Sequence, residues 1–252
     1  MNKITLSTRE RWPLDGPLFV EIVHQSLNKH LPGKHEQKDH GHGEGTAEDE
    51  FDRKDVTEGL LGEAYTNWAD LYTDQLNLRQ LEAVNEYVGG NYDMLNAYYR
   101  QRKPEFYYTP EADPEYIERI SEGLDSIFSR PESQLPENVL LFRGLGFGED
   151  DAERSLFLGM QPGEIFEDKS YFSSSMSHSV ARSFAFNKGD FPLVLEIEAP
   201  RGTQAIPLSR WGYNVGESEV LLPRSSKFQV ISNEKVSAHE VEYNHIRVRI
   251  LS

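Results

Sequence analysis

The chain has no cysteine among its 252 residues, so neither a disulfide framework nor a thiol nucleophile is available to it. It also lacks long apolar runs. No stretch approaches the roughly 18 consecutive apolar residues of a membrane-spanning helix. The N-terminus has no basic segment leading into an apolar one, so the sequence reads as that of a soluble protein with no Sec-type signal and no membrane insertion. Basic residues are scarce: 26 Lys and Arg stand against 42 Asp and Glu, a net charge of −16. Nucleic acids and anionic membranes are recognised through basic surface, and this balance argues against both as partners. Phosphate cradles are missing as well. Gly144-Leu145-Gly146-Phe147-Gly148 lacks the strand–turn–helix setting of a dinucleotide fingerprint, and no P-loop or metal-ligand spacing occurs.

What is present suffices for one medium domain with an extension, since 37% of the residues are hydrophobic. Residues 1–55 read as an N-terminal extension, with a strand-like piece at Leu18–Val23 and then a polar linker. That linker carries His30, His35, His40 and His42. Without cysteine or a second ligand cluster beside them, a solvated linker accounts for these histidines better than a metal site.

Residues 56–137 read as a helical lobe. Leu76, Leu78, Leu81, Val84 and Tyr87 recur every three to four residues until Gly89-Gly90 interrupts them. Tyr92, Leu95, Asn96 and Tyr99 share a face of the next helix. Asp113-Pro114 opens a third, with Ile117, Ile120, Leu124, Ile127 and Phe128 inward, ended by Pro131 and Pro136. Residues 138–252 read as a β-rich core, with strand-like runs at Val139–Arg143, Phe191–Glu198, Glu219–Leu222, Lys227–Ile231 and Asn244–Ile250, and a helix over Val180–Asn187. Helices followed by strands predict an α+β fold, and residues 56–252 together form the expected catalytic unit.

Three pieces of the core carry chemistry. Arg143 ends an apolar run and precedes Gly144; a planar guanidinium suits bidentate contact with phosphate oxygens, and glycine permits close backbone approach. Ser173, Ser174 and Ser175 follow the aromatic pair Tyr171-Phe172; alone, such a triplet is most often a turn or a helix cap. Glu217 and Glu219 are spaced by two. On an extended segment their carboxylates share one side, about 7 Å apart by strand rise. Repulsion between them offers a fold little, so the pair points to function.

Arginine, serine cluster and Glu-x-Glu, in that order, resemble the Arg–Ser–Glu pattern of mono-ADP-ribosyltransferases, closest to the arginine-modifying branch of bacterial toxins and phage-encoded enzymes. The resemblance spans residues 60–252 and implies an ADP-ribosyltransferase-like core of two packed small β-sheets, with a helical lobe closing an NAD cleft. It implies NAD as substrate, no metal, and an unidentified target protein as acceptor. Arg143 would hold the NAD phosphate and ribose beside Gly144. Ser173 would position Glu219 and line the nicotinamide pocket, where Phe184 would pack on the ring. Glu219 would stabilise the oxocarbenium-like ribose, and Glu217 would orient an arginine of the target. Tyr92 and Asn96 match a helical-lobe Tyr-x-x-x-Asn that touches NAD in relatives. Trp211 and Tyr213 fall in the stretch matching the target-recognition loop. The chain departs from the pattern at Ser174, usually threonine, and at Asn187, often a second arginine. Three alternatives remain open: an NAD glycohydrolase with water as acceptor, a non-catalytic structural phage or effector protein on the same fold, and a carbohydrate glycosidase using Glu217 and Glu219, which leaves Arg143 and Ser173 unexplained.

Overall fold

A computed structural model describes residues 20–22, 65, 67–70, 75–101, 113–149, 152–208, 217–238 and 241–251. The helical lobe begins where Asn77 caps α1 (Leu78–Glu86). The Asn77 side chain accepts from the Gln80 N–H at 3.0 Å, and the Gln80 side chain accepts from the Asn77 N–H at 3.1 Å. These reciprocal bonds form a capping box. Gly89-Gly90 does not separate two helices with a loop. It forms a π-helical turn over Tyr87–Asn91, with Gly90 at φ 115°, a conformation open to glycine and costly for other residues. That turn runs into α2 (Tyr92–Tyr99). Helix α3 (Pro114–Phe128) is capped by Asp113, whose carboxylate accepts from the Glu115 N–H at 3.1 Å, with proline in its first turn. Val84, Tyr87, Leu95, Ile117, Ile120 and Leu124 bury their apolar stripes together, and Tyr171, Ile206, Leu208 and Leu221 close that cluster from the sheet side.

The β-rich part contains β2 (Val139–Phe147), α4 (Ala152–Gly159), β3 (Ile165–Asp168), β4 (Phe172–Ser175), α5 (His178–Asn187), β5 (Phe191–Ala199), β6 (Ile206–Pro207), β7 (Glu219–Leu222), β8 (Ser226–Ala238) and β9 (Val241–Leu251). With β1 (Val20–Ile22) they form one hydrogen-bonded sheet in the order β1-β3-β8-β9-β5-β2-β4-β7-β6. The expected two small sheets therefore correspond to two packed halves of a continuous ladder. β2 pairs with β5 from Val139↔Ala199 to Phe147↔Phe191, yet meets β4 only at Phe142↔Ser175. That thin joint lets the ladder fold over. Phe172 of β4 and Phe228 of β8, four strands apart in the order, meet at a tilt of 42° with ring centroids 4.8 Å apart. The main core lies between the halves, with Leu141, Leu145, Phe166, Phe172, Leu195, Ile197, Val220, Leu222, Phe228, Ile246 and Val248 all buried in it. Tyr65, Trp68 and Ala69, from the helical residues 65 and 67–70, join this core and not the helical-lobe cluster.

Helix α5 lies against the outer face of β2, and two glycines make that possible. A Cβ on Gly144 would sit 1.8 Å from the Ala181 carbonyl oxygen, and one on Gly146 would sit 2.7 Å from the Lys188 Cβ. Gly144 is thus required by helix–strand contact. No described helix is long and apolar enough to cross a membrane.

Candidate active site

The joint between β2 and β4 is where the sequence motifs converge. Arg143 projects from β2 and is buried, with 4% exposure. Its Nη1 donates to the Ser173 carbonyl at 2.6 Å, and its guanidinium lies 4.6 Å from the centre of the Phe172 ring. Backbone and aromatic contact together fix the fork at the mouth of the joint, as cation–π packing favours for arginine.

The serine triplet is neither a turn nor a cap. It is strand β4, paired with β7 from Phe172↔Leu222 to Ser175↔Glu219. All three hydroxyls are spent on the segment 217–220. Ser173 Oγ donates to Glu219 Oε1 at 2.6 Å, Ser174 Oγ to the Val220 carbonyl at 2.8 Å, and Ser175 Oγ to the Glu217 carbonyl at 2.5 Å. The contact at position 174 is made by the hydroxyl, the group that serine shares with threonine.

Glu219 opens β7 and is largely buried. The expectation of an extended Glu217–Glu219 segment is corrected at Ser218, whose φ of 45° is left-handed. The strand starts only at Glu219, so strand alternation does not determine the side taken by the Glu217 carboxylate. Glu217 is half-buried and is held through its backbone by Ser175.

A narrow crevice is lined by Phe142, Arg143, Gly144, Ser173, Ser174, Ser175, Ala181 and Phe184. Phe184 reaches it from α5. Asn187, on the same helix, is exposed and donates to Ser183 Oγ at 3.2 Å, while Lys188 is half-buried above Gly146.

On the helical side, burial first and the Glu219 carboxylate second hold the Tyr87 phenol far above its ordinary range. A hydrogen bond with Asn96 and the charges of Arg143 and Arg100 oppose that shift. Tyr87 therefore stays neutral, with its hydroxyl in the electrostatic reach of both Glu219 and Arg143. Asn96 is buried and its Oδ1 accepts from Ser170 Oγ, so it belongs to an internal network. Tyr92 is half-buried with its ring centroid 6.2 Å from that of Tyr87.

Next to this network, Arg100 and Asp168 form a fully buried ion pair, Nη2–Oδ2 at 2.8 Å and Nε–Oδ1 at 3.1 Å. Burial works against the Arg100 charge, but Asp168 outweighs it and the guanidinium's pKa is raised. Sequence reasoning does not single out Tyr65, Tyr87, Arg100 or Asp168 as site residues. The Tyr65 hydroxyl donates to the Glu219 carbonyl at 2.7 Å, a contact 154 residues apart that no local pattern signals. Trp211, Tyr213 and the His-rich linker lie outside the described residues. Among the described residues, no group of three or more His, Cys, Asp or Glu is arranged to hold a metal ion.

Comparison with known proteins finds the same fold. The chain superposes on an ADP-ribosyltransferase from Clostridium botulinum with a TM-score of 0.58 and 17% identity, covering 77% of this chain and 98% of that one. Plx2a, an ADP-ribosyltransferase toxin from Paenibacillus larvae, gives 0.57 and 16%, covering 75% and 96%. A C3-type protein from S. aureus, solved with NAD, gives 0.56 and 18%, covering 75% and 94%. At these identities the likeness establishes the fold alone. No curated protein sequence matches the chain. A family model described as ADP-ribosyltransferase exoenzyme, however, matches residues 63–251, which takes in every described strand after β1 and every described helix. On that match, this chain belongs to the ADP-ribosyltransferase exoenzyme family.

Proposed function

We propose that the chain is an NAD-dependent mono-ADP-ribosyltransferase that transfers ADP-ribose to an arginine of a target protein. The observation that carries the reading is the Ser173–Glu219 hydrogen bond of 2.6 Å beside the buried Arg143 fork, in a crevice walled by Phe184. The S. aureus C3-type protein is described with NAD and a Clostridium perfringens binary-toxin component with NADH, which supports NAD as the substrate for this fold.

In the proposed reaction Arg143 clamps the pyrophosphate, with Gly144 beside it. Phe184 packs on the nicotinamide, and Tyr92 and Asn96 supply the helical wall. The bond between the ribose C1′ and the pyridinium nitrogen breaks, and its electron pair leaves with neutral nicotinamide. Glu219, held by Ser173, accepts a hydrogen bond from the ribose 2′-hydroxyl and stabilises the oxocarbenium-like ribose, as a preorganised carboxylate does in glycoside cleavage. A nitrogen of the target guanidinium then bonds to C1′ and gives up a proton to Glu217. Trp211 and Tyr213 are proposed to contact the target.

The test pairs two variants in full-length protein, with labelled NAD and a cell lysate, reading released nicotinamide and modified residues by mass spectrometry. Glu219→Gln is expected to lose NAD cleavage and transfer by at least about a hundredfold, the scale of removing a preorganised stabilising group. Glu217→Gln is expected to lose arginine modification while keeping NAD cleavage. Equal losses of both activities in both variants would refute the division of roles, and modification of residues other than arginine would refute the acceptor.

A further inference from the structure

We infer that Tyr65 is a positioning residue for Glu219, an inference that rests on the role given to Glu219 above. Tyr65 lies 154 residues before Glu219, in a helical stretch that the strand motifs do not include, yet its buried hydroxyl donates to the Glu219 carbonyl at 2.7 Å. The same carbonyl oxygen accepts from the Leu208 N–H at 2.9 Å. Two donors from separate parts of the chain thus converge on one peptide of β7.

That peptide is where control of orientation matters. Ser218, just before it, has φ 45°, a left-handed conformation that costs about 1 kcal/mol or more for a residue other than glycine. The chain enters β7 from a strained step, so its first residue is the one most inclined to tilt. Ser173 Oγ holds the head of the Glu219 side chain at Oε1, and Tyr65 and Leu208 hold its base. A carboxylate fixed at both ends keeps its direction toward Ser173, which lines the crevice; released at the base, it swings about the Ser173 contact.

Tyr65 itself sits on a firm support. Its ring meets Trp68 edge-on at 6.0 Å, Trp68 Nε1 donates to the Glu132 carbonyl at 3.3 Å, and Ala69 is buried in the same core. The helix is therefore anchored by contacts other than the hydrogen bond from the Tyr65 hydroxyl to Glu219.

Tyr65→Phe removes one oxygen, and the Glu219 carbonyl keeps its Leu208 donor, so the variant folds. Nicotinamide release by the full-length protein is expected to show kcat lowered by about tenfold with KM for NAD within about twofold, the pattern of a misdirected transition-state group. Trp68→Phe removes a comparable bond from the same helix. It is expected to lower the melting temperature at least as much as Tyr65→Phe while leaving kcat unchanged. Wild-type kcat in Tyr65→Phe, or parallel losses of kcat and stability in both variants, overturns the positioning role. Glu219→Gln is measured alongside. If it is inactive while Tyr65→Phe is fully active, only the positioning role fails; if it is fully active, the reading of the site fails and the role of Tyr65 with it.

Discussion

At the scale of single residues, the site is built by making one side chain serve two purposes. Arg143 is a strand residue packed on Phe172, with Nη1 fixed by the Ser173 carbonyl, and in the proposed reaction it is also the fork offered to a phosphate. Lysine would keep the charge but neither the plane nor the fork. Arg143→Lys is therefore expected to weaken NAD binding by about 1–3 kcal/mol in calorimetry with the fold retained; unchanged affinity would mean that the arginine serves structure alone. Gly144 is the opposite case, a residue defined by what it leaves out. Gly144→Ala places a carbon 1.8 Å from the Ala181 backbone oxygen, so α5 has to lift and carry Phe184 away from the crevice. A loss of about 3 kcal/mol in denaturant unfolding is expected, at the upper end for overpacking. Gly148→Ala is the control, since a Cβ there meets nothing within 4 Å. Equal stability of the two variants would disprove the account of α5 packing.

At the scale of elements, the sequence is most legible where pattern and burial agree. Val139–Arg143, Phe191–Glu198 and Glu219–Leu222 read as strands because both faces of the ladder are buried there and the runs are nearly all apolar. The hairpin of β8 and β9 is legible only in its apolar half. Beyond Val230 it continues through Ser232, Asn233, Glu234 and Lys235, where the strands reach past the core and polar side chains erase the signal. β3 escapes a sequence reading because Ile165–Asp168 is short and half acidic, and its last residue is buried only through an ion pair. The site's Arg, Ser and Glu residues are legible because their chemistry repeats a known order. Tyr65 and Arg100 are not, because their partners lie 154 and 68 residues away. The Arg100–Asp168 pair staples the end of α2 to the end of β3, and the Ser170 N–H also donates to Asp168 Oδ1 at 3.0 Å. Arg100→Met strands a buried carboxylate and is expected to cost about 3–5 kcal/mol in chemical unfolding. The double change Arg100→Met with Asp168→Leu is expected to recover much of that, short of the lost Ser170 bond at about 1 kcal/mol. A single change costing less than the double one would show that the pair does not work as a buried couple.

At the scale of the whole molecule, the question is how much of the chain the chemistry needs. The three buried clusters are assembled from residues between Tyr65 and Ile250, and every hydrogen bond described at the site falls in the same span. From residues 1–55 the sheet receives β1, which runs antiparallel along β3 from Val20↔Asp168 to Ile22↔Phe166. We therefore propose that residues 1–55 cap an edge and are dispensable for chemistry. A chain beginning at Asp55 is expected to fold and to cleave NAD within about twofold of the full-length rate, since neither Glu219 nor any group holding it is removed. What it loses is cover for β3, whose backbone donors and acceptors then face solvent as an open edge that invites pairing with another chain. Concentration-dependent association in light scattering should rise accordingly, and a lysine replacing Glu167 on that edge should not abolish it, because the pairing groups are in the backbone. Restoring the edge with a separate peptide covering residues 16–26 should return the shortened chain to its original association behaviour without altering its rate of NAD cleavage. If the shortened chain is instead insoluble or inactive on NAD, β1 is an integral strand of the core, and the boundary between extension and catalytic unit belongs ahead of Val20.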